Sequence, residues 1–170
     1  MKYEVIDNFL DEEYFNSLVS LCADAKLPWY YQSNITYTEE HTKWKPKEKD
    51  DKSFLMFHIF YIQNEPVSGF FNDIYPLLDK IGKMGLIRIK ANLYPNTEIL
   101  HEHIMHQDYE FSHSAALLSL NTCDGYTKLK DGTKIDSVAN RILFFDSSEE
   151  HCSTATTDVP ARFNININYI

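Results

Sequence analysis

Apolar and polar positions alternate along the last ten residues of the chain. Phe163, Ile165, Ile167 and Tyr169 share one parity, and Arg162, Asn164, Asn166 and Asn168 the other. Side chains on a strand point alternately to its two faces, so this segment predicts a strand with one apolar and one polar face. Residues 86–94 repeat the pattern: Ile87, Ile89, Ala91 and Leu93 oppose Arg88, Lys90, Asn92 and Tyr94. Shorter β-prone runs lie at 115–121, 126–130, 133–138 and 141–145. Asp124-Gly125 and Asp131-Gly132 fall between them, and Asp-Gly favours tight hairpins. Residues 2–6 and the apolar run 53–63 predict two more strands. His58, inside the second, reads as a hydrogen-bonded core histidine.

The period changes to that of a helix over 12–25, where Phe15, Leu18, Val19 and Cys22 fall at i, i+3, i+4 and i+7. Asp11 suits the N-cap, Glu12 and Glu13 complement the helix dipole, and Pro28 stops the run. A second helix is expected over about 67–82, with Phe70, Phe71, Ile74, Leu77, Leu78 and Ile81 in its stripe. Pro76 is expected to kink or restart it, because proline lacks the backbone donor. Residues 29–38 are aromatic, a strand or a lid. Residues 39–52 are rich in Lys, Glu and Asp, a solvated loop or a flap. The sum is a mostly β (α+β) protein of one domain. A double-stranded β-helix (jelly-roll) core over about 86–170 is buttressed by helical support within about 1–85.

Composition narrows the function. The 170 residues carry 25 acidic and 16 basic side chains, a net charge of −9, which argues against a nucleic-acid backbone as partner. No run approaches a membrane span, and the N-terminus lacks a signal-peptide core. The three cysteines, Cys22, Cys123 and Cys152, are widely spaced and read as free thiols. A cytoplasmic location is expected.

The chemistry concentrates in His101-Glu102-His103-Ile104-Met105-His106-Gln107-Asp108. A His-x-Asp pair on a strand puts both side chains on one face, with Cβ atoms ~6–7 Å apart, close enough to clasp one ion. His106 and Asp108 are that pair. His101 and His103 have the opposite parity and read as surface or supporting residues, and His113 as a loop residue. An apolar strand then runs through Phe144-Phe145-Asp146 into a polar turn that delivers His151, 43 residues after Asp108. Two histidines and one carboxylate leave positions open on a metal, the arrangement of non-haem Fe(II) oxygenases. Eleven residues further on, Arg162 opens the polar face of the last strand. An inward-facing arginine needs an anion, and a guanidinium grips a carboxylate with two parallel hydrogen bonds.

In this order of residues the chain resembles the Fe(II)/2-oxoglutarate-dependent dioxygenases, in particular small prolyl-hydroxylase-like proteins of the bacteriophage type. The pattern is His106, Asp108, His151 and Arg162, with Tyr94-Pro95 ahead of the metal pair. The opening Tyr3-Glu4-Val5-Ile6-Asp7-Asn8-Phe9-Leu10, followed by a helix, is similar too. The resemblance implies Fe(II) on His106, Asp108 and His151, with 2-oxoglutarate as co-substrate bound by Arg162. It implies dioxygen as oxidant and hydroxylation of an unactivated C–H, such as a peptidyl proline, with release of succinate and carbon dioxide. It puts Tyr94 in the co-substrate pocket and Asn164 where many members carry a serine. Ser119 and Asn121 are two further positions that can face the co-substrate. The primary substrate is not readable; Trp29, Tyr30, Tyr31 and Trp44 can line its groove or pack in core or lid. Two alternatives stay open: a cupin-like metal enzyme that does not use 2-oxoglutarate, and a non-catalytic jelly-roll binding protein.

Overall fold

The computed structural model describes residues 2–33, 54–82 and 85–170. The charge-rich segment 39–52, the second half of the aromatic segment and Trp44 lie outside these. The elements in order are β1 (Tyr3–Ile6), α1 (Glu12–Ala23), β2 (Tyr30–Gln32), β3 (Leu55–Ile62), β4 (Glu65–Pro66), α2 (Phe71–Ile81) and β5 (Leu86–Pro95). Then follow β6 (Ser114–Ser119), β7 (Tyr126–Leu129), β8 (Lys134–Asp136), β9 (Arg141–Asp146), β10 (His151–Ser153) and β11 (Ala161–Tyr169).

The strands form an antiparallel jelly roll. The main sheet runs β1-β9-β6-β11-β5-β3-β2, with β4 added to β3, and the small sheet runs β10-β7-β8. Residues before 86 therefore do more than buttress: they supply β1 to β4 of the main sheet. The predicted parities hold. Ile165 and Ile167 of β11 and Ile89 and Ala91 of β5 are fully buried beneath Phe15, Leu18, Ile74 and Leu77 of the two helices. Excluding those apolar faces from water is what holds the helices on one side of the main sheet. On the other side a smaller cluster of Ala115, Leu129, Ile135, Leu143 and Phe145 joins the two sheets.

Asp11 caps α1 as expected, its carboxylate accepting from the Tyr14 N–H at 2.9 Å. The second helix differs from expectation. It begins at Phe71, not 67, because Val67 donates to the Phe60 carbonyl and Ser68 Oγ accepts from the Phe70 N–H, which holds this segment in a turn. It also continues through Pro76 without restarting. The Tyr14 hydroxyl donates to the Asp73 carbonyl (2.7 Å) and accepts from the Leu77 N–H (3.2 Å), so a side chain of α1 spans the backbone pair beside the proline.

The two Asp-Gly pairs diverge. Asp131-Gly132 makes the β7–β8 hairpin, with Gly132 at φ 88°. Asp124-Gly125 lies in the longer connection from β6 to β7 and makes no two-residue hairpin. Gly125 is demanded instead by close packing: a Cβ there would sit 2.6 Å from the Ala155 carbonyl oxygen. His58 is a core histidine as expected, with Nδ1 on the Pro28 carbonyl and Nε2 on Ser68 Oγ, both at 2.8 Å. The three cysteines are free and buried, and no helix among the described residues is long and apolar enough to cross a membrane.

Candidate metal centre and co-substrate pocket

The predicted metal pair is not on a regular strand. It lies on an extended segment that runs along the free edge of β10. Backbone bonds tie the two: His103 N–H to the Ser153 carbonyl (2.9 Å), and reciprocal bonds of 2.9 Å between His106 and His151. A histidine pair far apart in sequence is thus cross-strand neighbours, with ring centroids 4.7 Å apart. His151 is itself the first residue of β10, not the tip of a turn.

Donor atoms of His106, Asp108 and His151 all lie within 4.8 Å of one another, and His106 Nε2 stands 4.0 Å from Asp108 Oδ1. Both imidazoles are held by their other nitrogen. His106 Nδ1 meets the Ile104 carbonyl and His151 Nδ1 the Glu149 carbonyl, each at 3.1 Å. A carbonyl only accepts, so each Nδ1 carries the proton and each Nε2 presents a lone pair. Burial and the neighbouring His151 push the His106 imidazolium down to about 4, which keeps the ring in its ligating neutral form near neutral pH.

Asp108 is fixed just as closely. Arg88 Nη2 donates to Oδ1 at 3.1 Å; Asn168 Nδ2 and Asn166 Nδ2 donate to Oδ2 at 2.7 and 3.2 Å. Burial alone would raise this carboxyl, but Arg88, the two histidines and Asn168 outweigh it and hold Asp108 well below the usual carboxylate range. The donors come from the polar faces of β5 and β11, which the alternation had placed together.

Four cross-strand pairs form a polar ladder on these two strands: Arg88–Asn168, Lys90–Asn166, Asn92–Asn164 and Tyr94–Arg162. The first secures Asp108. The fourth lies at the far end, where Arg162 is the largest fully buried side chain among the described residues, 1% exposed. Its Nη1 donates to the carbonyls of Tyr126 (2.9 Å) and Thr154 (3.2 Å), and its Nη2 to Thr127 Oγ1 (3.0 Å). Nε has no partner. With Nη1 spent on carbonyls, the guanidinium edge of Nε and Nη2 keeps two N–H groups, the edge that a carboxylate takes bidentately. Burial lowers the Arg162 pKa, and no carboxylate among the described residues pairs with it.

Known structures share this framework. No family model matches the sequence, and neither does any curated protein. Among solved structures, the chain is similar to an oxidoreductase of the 2OG-Fe(II) oxygenase family from Burkholderia pseudomallei. That match has a TM-score of 0.69 and 11% identity over 98% of this chain and 84% of the other. The viral collagen prolyl hydroxylase of Paramecium Bursaria Chlorella virus-1 matches with a TM-score of 0.60 and 12% identity, over 99% and 96% of the two chains. A Pseudomonas putida prolyl-4-hydroxylase matches at 0.55 and 15%, over 98% and 91%. The fold is that of the 2OG-Fe(II) oxygenases.

In this fold the remaining expected residues divide. Tyr94 and Asn164 line the cavity beside the metal centre, as do Asn92 and Thr127. Asn164 Oδ1 accepts from Asn92 Nδ2 at 2.8 Å. Burial raises the Tyr94 phenol, opposed by a hydrogen bond with Ser153. Ser119 pairs with Asn164 across β6–β11 but does not line the cavity. Asn121 lies outside it: its amide donates to the Ala161 carbonyl and accepts from the Phe163 N–H, both at 2.9 Å, completing the edge of β11. His103 supports the site, with Nδ1 on Ser153 Oγ at 2.8 Å and its ring stacked on Tyr94. His113 is buried and meets Ser147 Oγ at 2.7 Å.

Sequence reasoning missed Arg88 and Asn168 as holders of Asp108, and Thr127 as the hydroxyl beside Arg162. The first two sat on faces already read as polar. Nothing local marks Thr127, whose role follows from β7 lying over the end of β11.

Proposed function

We propose that the protein is a non-haem Fe(II)- and 2-oxoglutarate-dependent dioxygenase. His106, Asp108 and His151 would hold the metal, and the open edge of Arg162, with Tyr94 and Thr127 beside it, would receive the distal carboxylate of 2-oxoglutarate. The observation that carries this reading is the buried, carboxylate-free guanidinium of Arg162 on the same ladder as the metal-ligating carboxylate. An unpaired buried charge costs several kcal/mol on the order-of-magnitude scale, so the site is built for an anion. A cupin-like metal enzyme would have no use for that charge.

Fe(II) with three protein ligands would supply room for a chelating 2-oxo acid and dioxygen, and oxidation of the 2-oxo acid to succinate and carbon dioxide would drive hydroxylation of a C–H bond. The chain's own share is preorganisation. Backbone carbonyls fix both imidazole tautomers, three donors fix Asp108, and Arg162 fixes the direction in which the co-substrate lies. For the primary substrate, the similarity to prolyl hydroxylases supports a peptidyl side chain such as proline.

The test is anaerobic loading with Fe(II) and 2-oxoglutarate, followed by succinate release on admitting oxygen. Release is expected from the wild type and lost in His106→Ala and Arg162→Ala. Absence of tight 2-oxoglutarate binding by the metal-loaded protein would refute the reading.

A further inference from the structure

The polar ladder carries three cations, and among the described residues only Arg88 is paired with a carboxylate. Arg88 is neutralised by Asp108. Arg162 has the open edge described above. Lys90 sits between them on the same face of β5 and lines the metal cavity, half-buried. Among the described residues no ion pair or hydrogen bond engages its ammonium group. The ammonium group lies over Phe57 of β3, whose ring centroid is 5.9 Å from Nζ.

The charges decide what this lysine can meet. A divalent metal and a dicarboxylate cancel one another, and Asp108 cancels Arg88. Arg162 would take the distal end of the dicarboxylate, three ladder positions from the Arg88 pair. The loaded cavity would therefore stay cationic, and Lys90 is the cation in its wall that no side chain among the described residues meets by an ion pair or hydrogen bond. An ammonium group half out of water gains from an anion far more than one on an open surface, because the local dielectric is lower.

The surroundings shape the ligand further. Phe57 is paired with Asn92 on one side and Tyr30 on the other, so all three lie on the cavity face of the sheet. The Tyr30 and Phe57 rings are 5.9 Å apart, and Tyr30 is 56% exposed. An aromatic shelf thus leads from the edge of the sheet to Lys90. We infer that Lys90 is a specificity-determining residue that selects a primary substrate bearing a carboxylate or phosphate, with the substrate's apolar part on Phe57 and Tyr30. The inference rests on the oxygenase reading for its site, and it deepens that reading by naming the substrate's charge class.

The test uses protein loaded with redox-silent Zn(II) and 2-oxoglutarate, so that binding is read without turnover. Matched probes differ in charge alone: N-acetylproline and N-acetylphenylalanine against their amides, and phenyl phosphate against phenol. Dissociation constants come from calorimetry. In at least one pair the anion is expected to bind tenfold or more tightly than its neutral partner. Lys90→Met should reduce that ratio to below twofold, and Lys90→Arg should keep it. The wild type favouring no anion, or the preference surviving in Lys90→Met, overturns the inference. So does a parallel loss of 2-oxoglutarate affinity in Lys90→Met, which would make Lys90 a co-substrate residue. Failure of the wild type to bind 2-oxoglutarate at all is a separate outcome that sinks the oxygenase reading; the same probe pairs on the Zn(II)-only protein then still decide the role of Lys90.

Discussion

Arg162 passes directly beneath Gly125. A Cβ added at Gly125 would lie 2.8 Å from Arg162 Cδ and 2.6 Å from the Ala155 carbonyl oxygen. The absence of a side chain there gives the buried guanidinium its path to Thr127. Gly125→Ala is therefore expected to cost about 1–3 kcal/mol of stability by overpacking and to weaken 2-oxoglutarate binding tenfold or more as Arg162 is displaced. Gly132→Ala is the control: nothing lies within 4 Å of its added Cβ, and its φ of 88° is the only strain. It should cost about 1 kcal/mol and leave 2-oxoglutarate affinity unchanged. Thermal unfolding and calorimetry read the two effects separately.

Asn168 holds Asp108 by its shortest hydrogen bond and also accepts from Arg88 at 3.0 Å. Asn168→Ala should lower metal affinity by about 10–100-fold, the usual range for groups that orient a metal ligand. Asn166→Ala should do less, since its contact is 3.2 Å. Competition for Co(II) against a chromogenic chelator measures both. Equal affinities in wild type and Asn168→Ala would show that the hydrogen bond does not position the carboxylate.

The segment that carries His106 is pinned to the small sheet through Glu102. Its carboxylate accepts from Lys128 Nζ at 2.7 Å and from the Tyr126 hydroxyl at 2.5 Å. Lys128, then Tyr126 and Lys134, bring its pKa down to about 2. A carboxyl whose pKa is lower in the folded state stabilises the fold above its unfolded value, and that contribution disappears as pH falls toward the folded value. The window runs from the ordinary 4.5 down to about 2. The melting temperature of the wild type should fall more steeply across it than that of Glu102→Gln. Parallel curves would assign the acid sensitivity to other carboxylates.

Tyr14 links the helices through the backbone on either side of Pro76. Removing its hydroxyl leaves the Asp73 carbonyl and the Leu77 N–H without that partner. Tyr14→Phe should destabilise the protein by about 1–2 kcal/mol in denaturant titration, with little effect on metal binding. A change below a few tenths of a kcal/mol would show that water or the helix itself replaces the bridge.

Alternation and ordered spacing determined a good deal. Period-two faces on β5 and β11 predicted both the apolar layer beneath the helices and the polar face toward the cavity. Those faces are local consequences of backbone geometry. His106, Asp108, His151 and Arg162 were legible as a set from their order and spacing along the chain. The proximity of the first three emerged only in the folded chain, where their donor atoms lie within 4.8 Å of one another. What the tertiary structure decided is pairing between distant segments. It placed His106 across from His151 through backbone bonds that no local pattern encodes. It aligned β5 and β11 in the register that brings Arg88 and Asn168 to Asp108, and laid β7 so that Thr127 meets Arg162. It gave Asp124-Gly125 a packing role where the dipeptide suggested a hairpin, because the Arg162 side chain needed the room. It also set Lys90 in the cavity wall between Arg88 and Asn92, with no ion pair or hydrogen bond to its ammonium group among the described residues.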